Sequence, residues 1–127
     1  MGLNKFSAKY RDKSTEHNVN VGVFTWNDDK GIYYAYSPAL DLSGYGKNKT
    51  EAIKSFETAF FEFVKYTSNK NTLFEELEHL GWTINRKKKK MIAPSMTELL
   101  EENETFRDVF DKPGVELVNK KVELAAV

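Results

Sequence analysis

The chain has 127 residues, 40% of them hydrophobic and 13% aromatic, enough for one folded core and too many for a disordered chain. Nineteen Lys/Arg balance nineteen Asp/Glu, so the surface as a whole is not built for phosphate, although a local basic patch stays open. Cysteine is absent, which excludes disulfides, thiolate metal sites and cysteine nucleophiles.

No run approaches the roughly 18 apolar residues of a membrane span, and the first residues lack the apolar stretch of a secretory signal, so a cytoplasmic protein is expected. Residues 3–10 alternate weakly, with Phe6, Ala8 and Tyr10 on one side, which suits an edge strand or a loose arm. Residues 11–18 are polar and read as a loop. Val19, Val21 and Val23 then alternate with Asn20 and Gly22 at the strand period of two, while Phe24 and Trp26 put apolar groups on the opposite face. Turn formers at 27–31 join this strand to a second at 32–36. There Ile32, Tyr34 and Tyr36 point one way, Tyr33 and Ala35 the other. Both strands are therefore apolar on both faces, whereas a sheet with one wet face alternates cleanly. One face is expected to carry a helix. The other is expected to be covered by the C-terminal segment or by a partner protein, which makes Tyr33, Tyr34 and Tyr36 the candidate partner-binding residues.

Pro38 ends the second strand. Gly44 and Gly46 flank Tyr45 in what reads as a tight connection. Asn48 and Glu51 have capping-box spacing, and Ala52, Ile53, Phe56, Ala59, Phe60, Phe63 and Val64 make one stripe of a long helix over 48–67. The spacing of Thr72 and Glu75 opens a shorter helix with Leu73, Leu77 and Leu80 on one side, closed by Gly81. Residues 82–84 begin a returning strand. Arg86, Lys87, Lys88, Lys89 and Lys90 form the one long charge run, a candidate nucleic-acid contact or a solvated turn. Ser95 and Glu98 give a third capping box. The stripes Met96, Leu99, Leu100 and Phe106, Val109, Phe110 are out of phase, so two short helices break near Asn103. Pro113 and Gly114 stop the second, and 115–124 read as one terminal strand, or as two with a kink near Asn119-Lys120.

His17 and His79 have no partner at metal-ligand spacing. Asp28, Asp29 and Asp41 fall in turns or connections, and capping or solvation accounts for Glu51, Glu57 and Glu62. No catalytic residue, metal ligand or cofactor is expected, and the chain is not read as an enzyme.

The order of strand, Ser37-Pro38-Ala39-Leu40, glycine turn, cap, and Glu51-Ala52 opening an apolar helix resembles the HicB antitoxin family over residues 19–84. Pro38, Leu40, Glu51 and Ala52 match that pattern. Gly46 and Asn48 stand near its Gly and Thr positions, and Asp41-Leu42-Ser43 replaces its Pro-Gly-Cys. The resemblance implies a partial ribonuclease-H-like fold in the order β-β-β-α-β. The expected architecture is α+β: an antiparallel sheet of three to four strands with one long helix packed on it. Residues 85–127 would extend this HicB-like core with short helices and a terminal strand, within a single domain spanning 1–127. For function, the resemblance implies a non-enzymatic antitoxin that binds and masks a small, basic HicA-type ribonuclease. Edge strands and apolar faces add an expectation of self-association, as a dimer. The alternative is a transcriptional regulator that binds nucleic acid through 86–90, although the segment after Lys90 lacks a helix-turn-helix pattern.

Overall fold

The strand signal centred on Val21 and Val23 belongs to the longest strand of the protein, and every other layer is placed against it. The computed structural model describes residues 7–11, 16–88 and 90–123, with side chains for 20–88 and 90–120. In chain order the elements are β1 (Ser7–Arg11), β2 (Glu16–Asn27), β3 (Tyr33–Ser37), β4 (Leu42–Gly46), α1 (Lys49–Asn69), α2 (Leu73–His79), β5 (Thr83–Asn85), β6 (Lys90–Ile92), α3 (Met96–Glu102), α4 (Glu104–Phe110) and β7 (Glu116–Glu123). The class is α+β. β1, β3 and β7 all pair antiparallel with β2, and β4 pairs antiparallel with β3. Phe24 and Thr25 are bonded to both β3 and β7, so those two strands flank β2 and the order runs β4–β3–β2–β7. A strand signal therefore exists at 7–11, although Phe6 lies outside the described residues.

The two faces of the sheet carry different layers. Val21, Val23 and Ala35 pack with Ala52, Phe56 and Phe60 of α1, and Leu73, Leu77 and Trp82 continue the same cluster. Asn48 caps α1 by accepting from the Glu51 N–H at 2.9 Å, and Glu51 accepts in turn from the Lys47 N–H, one residue earlier than a regular capping box requires. On the opposite face Phe24 and Tyr36 pack with Phe106 and Val109 of α4. The C-terminal segment is thus what covers the second face at this level. Asn103 both ends α3 and caps α4, accepting from the Phe106 N–H, which is why the two stripes are out of phase.

Five expectations change. Arg11 and residues 16–18, read as loop, belong to β1 and β2. The main sheet has five strands rather than three or four. Residues 42–46 are a strand, not a turn, and neither Gly44 nor Gly46 has a positive φ. Their role is close approach: a Cβ at Gly44 would fall inside the Phe56 backbone nitrogen and within 2.7 Å of the Ala52 carbonyl oxygen, and one at Gly46 would collide with Glu51. Thr72 makes no side-chain capping bond to α2. The strand expected at 82–84 does form, as β5, but it pairs with β6 in a separate two-stranded ribbon. β7 is the strand that returns to the sheet, beside β2.

Candidate interaction surface

Register decides which side chains share a face. Residues opposite one another in an antiparallel pair project to the same side, so Trp26, Tyr34 and Tyr45 form one row across β2, β3 and β4 on the face away from α1. The neighbouring row, Leu117, Phe24, Tyr36 and Ser43, is the one over which α4 lies. α4 does not close over the first row to the same degree. Tyr36 is buried, Tyr34 and Trp26 are half-buried, and Tyr45 is 69% exposed. The Trp26 and Tyr34 rings stack at 5.5 Å between centroids.

A carboxylate stands against the middle ring of this row. Asp28 begins the β2–β3 turn, where it accepts from the Lys30 and Ile32 N–H groups and from the Tyr34 hydroxyl, each at 2.9 Å. The Ile32 bond above all, with those of Tyr34 and Lys30, holds its carboxyl below the usual range against a desolvation that works the other way. The same bond to Asp28 pushes the Tyr34 phenol up. An aromatic row with a fixed negative charge beside its middle ring suits a cationic side chain that stacks on the rings and pairs with the carboxylate.

Of the three tyrosines expected to bind a partner, only Tyr34 lies in the row. Tyr33 faces the α1 side and packs against that core. Tyr36 is enclosed: its hydroxyl donates to Asp41 Oδ1 at 2.7 Å and accepts from Asn103 Nδ2 at 3.1 Å. Trp26 and Tyr45 complete the row. Tyr45 escapes sequence reasoning because it counts only once 42–46 is known to be a strand in register with β3.

Next to Asp41 lies a polar cleft of about 460 Å³ between the Pro38–Asp41 connection, the end of α2 and the α3–α4 junction. Glu78, Glu98, Glu102 and Glu104 line it together with Asp41 and His79, so its lining is electronegative. Among the described residues no group of His, Cys, Asp or Glu is arranged to hold a metal ion. No described helix is long and apolar enough to cross a membrane.

Arg86, Lys87 and Lys88 lie in the turn that follows β5, and Lys90 opens β6. Arg86 is turned back onto α2, pairing with Glu78 at 2.9 Å and Glu75 at 3.9 Å with its guanidinium 5.6 Å from the Phe74 ring centroid. The Arg86 hydrogen bonds hold the Glu78 carboxyl below its usual range. Lys87, Lys88 and Lys90 are exposed, and Lys89 lies outside the described residues. Comparison with protein-family models, with curated proteins and with solved structures finds no match to this chain.

Proposed function

We propose that this chain is a non-enzymatic, cytoplasmic binding protein that acts like a HicB antitoxin, masking a small basic ribonuclease. The observation that carries the reading is the partly exposed row Trp26–Tyr34–Tyr45, with Asp28 bonded to its middle ring. Large aromatic side chains beside an open face are the usual anchors of protein interfaces. The row sits on the β2–β3–β4–α1 unit, the part of the chain that resembles the family. Pro38 and Leu40 stand at the turn out of β3, and Glu51 and Ala52 open the helix. A second group of carboxylates lines the cleft beside Asp41, at the other end of β3, and negative surface of this kind favours a cationic partner. Inhibition would be by occlusion: the partner's RNA-facing cations are covered and substrate is excluded.

The test is co-expression with the short basic product of an adjacent gene, followed by copurification and a ribonuclease assay. Tyr45→Ala is expected to weaken the complex about 30-fold, the scale of a central aromatic anchor. Asp28→Asn, which keeps the turn's acceptor and removes its charge, weakens it less. Phe61→Ala, at a side chain 63% exposed on α1, leaves it unchanged. A native protein that neither copurifies with such a ribonuclease nor inhibits it sinks the reading.

One observation favours a second reading, a nucleic-acid-binding regulator: Lys87, Lys88 and Lys90 project from the tip of a β-ribbon. That reading requires binding to duplex that falls steeply with salt and is lost when the three lysines become glutamine.

A further inference from the structure

The Asp28 carboxylate is fixed in place but meets no cation. Its Oδ1 accepts from two backbone N–H groups and its Oδ2 from the Tyr34 hydroxyl, so neither oxygen can turn away without breaking a bond. No ion pair among the described residues includes it: those seen join Lys49 to Glu116 and Arg86 to Glu75 and Glu78. The Tyr34 ring is held at two points, its hydroxyl tied to Asp28 and one of its faces stacked on Trp26 at an interplanar angle of 20°. Trp26 comes from β2, so the other face of Tyr34 looks along the row towards β4, where Tyr45 stands opposite it in the register. The Tyr45 side chain is open to solvent, yet its backbone is pinned. Gly44 and Gly46 on either side lie too close to α1 to admit a Cβ. An aromatic face, a second ring on a rigid mount beside it and a carboxylate at the rim together make a slot.

We infer, building on the masking function proposed above, that this slot takes an arginine of the partner and discriminates against lysine. A guanidinium is flat, so it lies on the second face of Tyr34 and turns its edge N–H groups to Asp28 Oδ2, at the hydroxyl end of the same ring. Tyr45 closes over its outer side. A guanidinium also sheds water more readily than an ammonium. The ammonium of lysine is a compact, strongly hydrated charge that gains nothing from two parallel aromatic faces. The acidic cleft beside Asp41 supplies the contrast. Its lining holds carboxylates but no Phe, Tyr or Trp, so it attracts either cation alike. Selectivity for arginine therefore belongs to the row alone.

The probe is a pair of peptides blocked at both ends, Gly-Ser-Arg-Ser-Gly and Gly-Ser-Lys-Ser-Gly, titrated into the whole isotope-labelled chain and followed by heteronuclear NMR. The arginine peptide is expected to move the Trp26 indole N–H and the Tyr34 and Tyr45 signals. The lysine peptide should need roughly ten times the concentration for the same shifts. Asp28→Asn should weaken both peptides, whereas Tyr45→Ala should weaken the arginine peptide selectively and narrow the gap. Equal binding of the two peptides overturns the arginine site. So does an arginine peptide that shifts His79 and Glu104 at the acidic cleft while Trp26 stays still, or a Tyr45→Ala protein that keeps the whole preference. No ribonuclease takes part in these titrations. Their failure removes the arginine site and leaves the masking reading to its own copurification and inhibition assay.

Discussion

Tyr36 shows how much a single hydroxyl can tie together. Its ring lies between the sheet and α4, and its hydroxyl joins Asp41, at the turn into β4, to Asn103, the residue that separates α3 from α4. Burial first, and the bond to Asp41 second, push its phenol up to about 12 from an ordinary 10.0, while the Asn103 bond pulls slightly back. The folded state therefore holds this proton more tightly than the unfolded chain. The stability so gained is whole below pH 10 and is lost as pH rises through about 12. Tyr36→Phe is expected to cost about 1 kcal/mol at neutral pH, the worth of the lost hydrogen bonds. The more specific outcome is alkaline. The native protein should lose about 2 kcal/mol relative to the phenylalanine variant as the phenol titrates, because phenylalanine has no proton to release. Denaturant midpoints of the two proteins on either side of that window check it; a gap that stays constant with pH refutes it.

Helices were more legible than strands because their signals are local. The α1 stripe and its Asn48 cap, the Ser95–Glu98 capping box and the break at Asn103 can all be read within a few residues. β4 could not be. Its five residues include two glycines and no β-branched side chain, so intrinsic preference argues against a strand. What makes it one is α1, which lies so close that only a residue without Cβ fits at Gly44 and Gly46. Propensity lost to tertiary contact, and with it went Tyr45 and the true aromatic row. Likewise Thr72 has the spacing of a capping residue without making the bond, and β5 found β6 rather than the sheet. The glycine account makes a sharp demand. Gly44→Ala must push α1 away from the sheet, at a cost of about 3 kcal/mol or more. The same change at Gly31, where nothing lies within 4 Å but φ is +84°, should cost only about 1 kcal/mol. Thermal unfolding of the two variants ranks them, and equal losses would mean that close packing is not what selects glycine in β4.

Taken whole, the molecule is one sheet between two unequal layers, and the question is whether they melt together. The α1 layer holds Trp82, buried at 3% exposure with its indole N–H donated to the Ala39 carbonyl at 2.6 Å. The α4 layer holds Trp26, packed at the edge of the second cluster. These are the two tryptophans of the chain, so each layer carries its own fluorophore. Two features couple the layers. β2 and β3 supply side chains to both, Val23 and Ala35 to one and Phe24 and Tyr36 to the other, and Leu99 of α3 touches both clusters. Neither layer can leave without exposing the back of the strands that hold the other. One cooperative transition is therefore expected. In Trp82→Phe the fluorescence of Trp26, and in Trp26→Phe that of Trp82, should each follow the far-ultraviolet circular dichroism of the same variant to a common midpoint. The substitutions themselves will move the midpoints, since Trp82→Phe strands a buried carbonyl, but the coincidence within each variant should survive. If Trp26 reports an earlier transition than the circular dichroism, α3 and α4 form a detachable cover. The second face of the sheet would then be open to a partner well before the α1 layer unfolds.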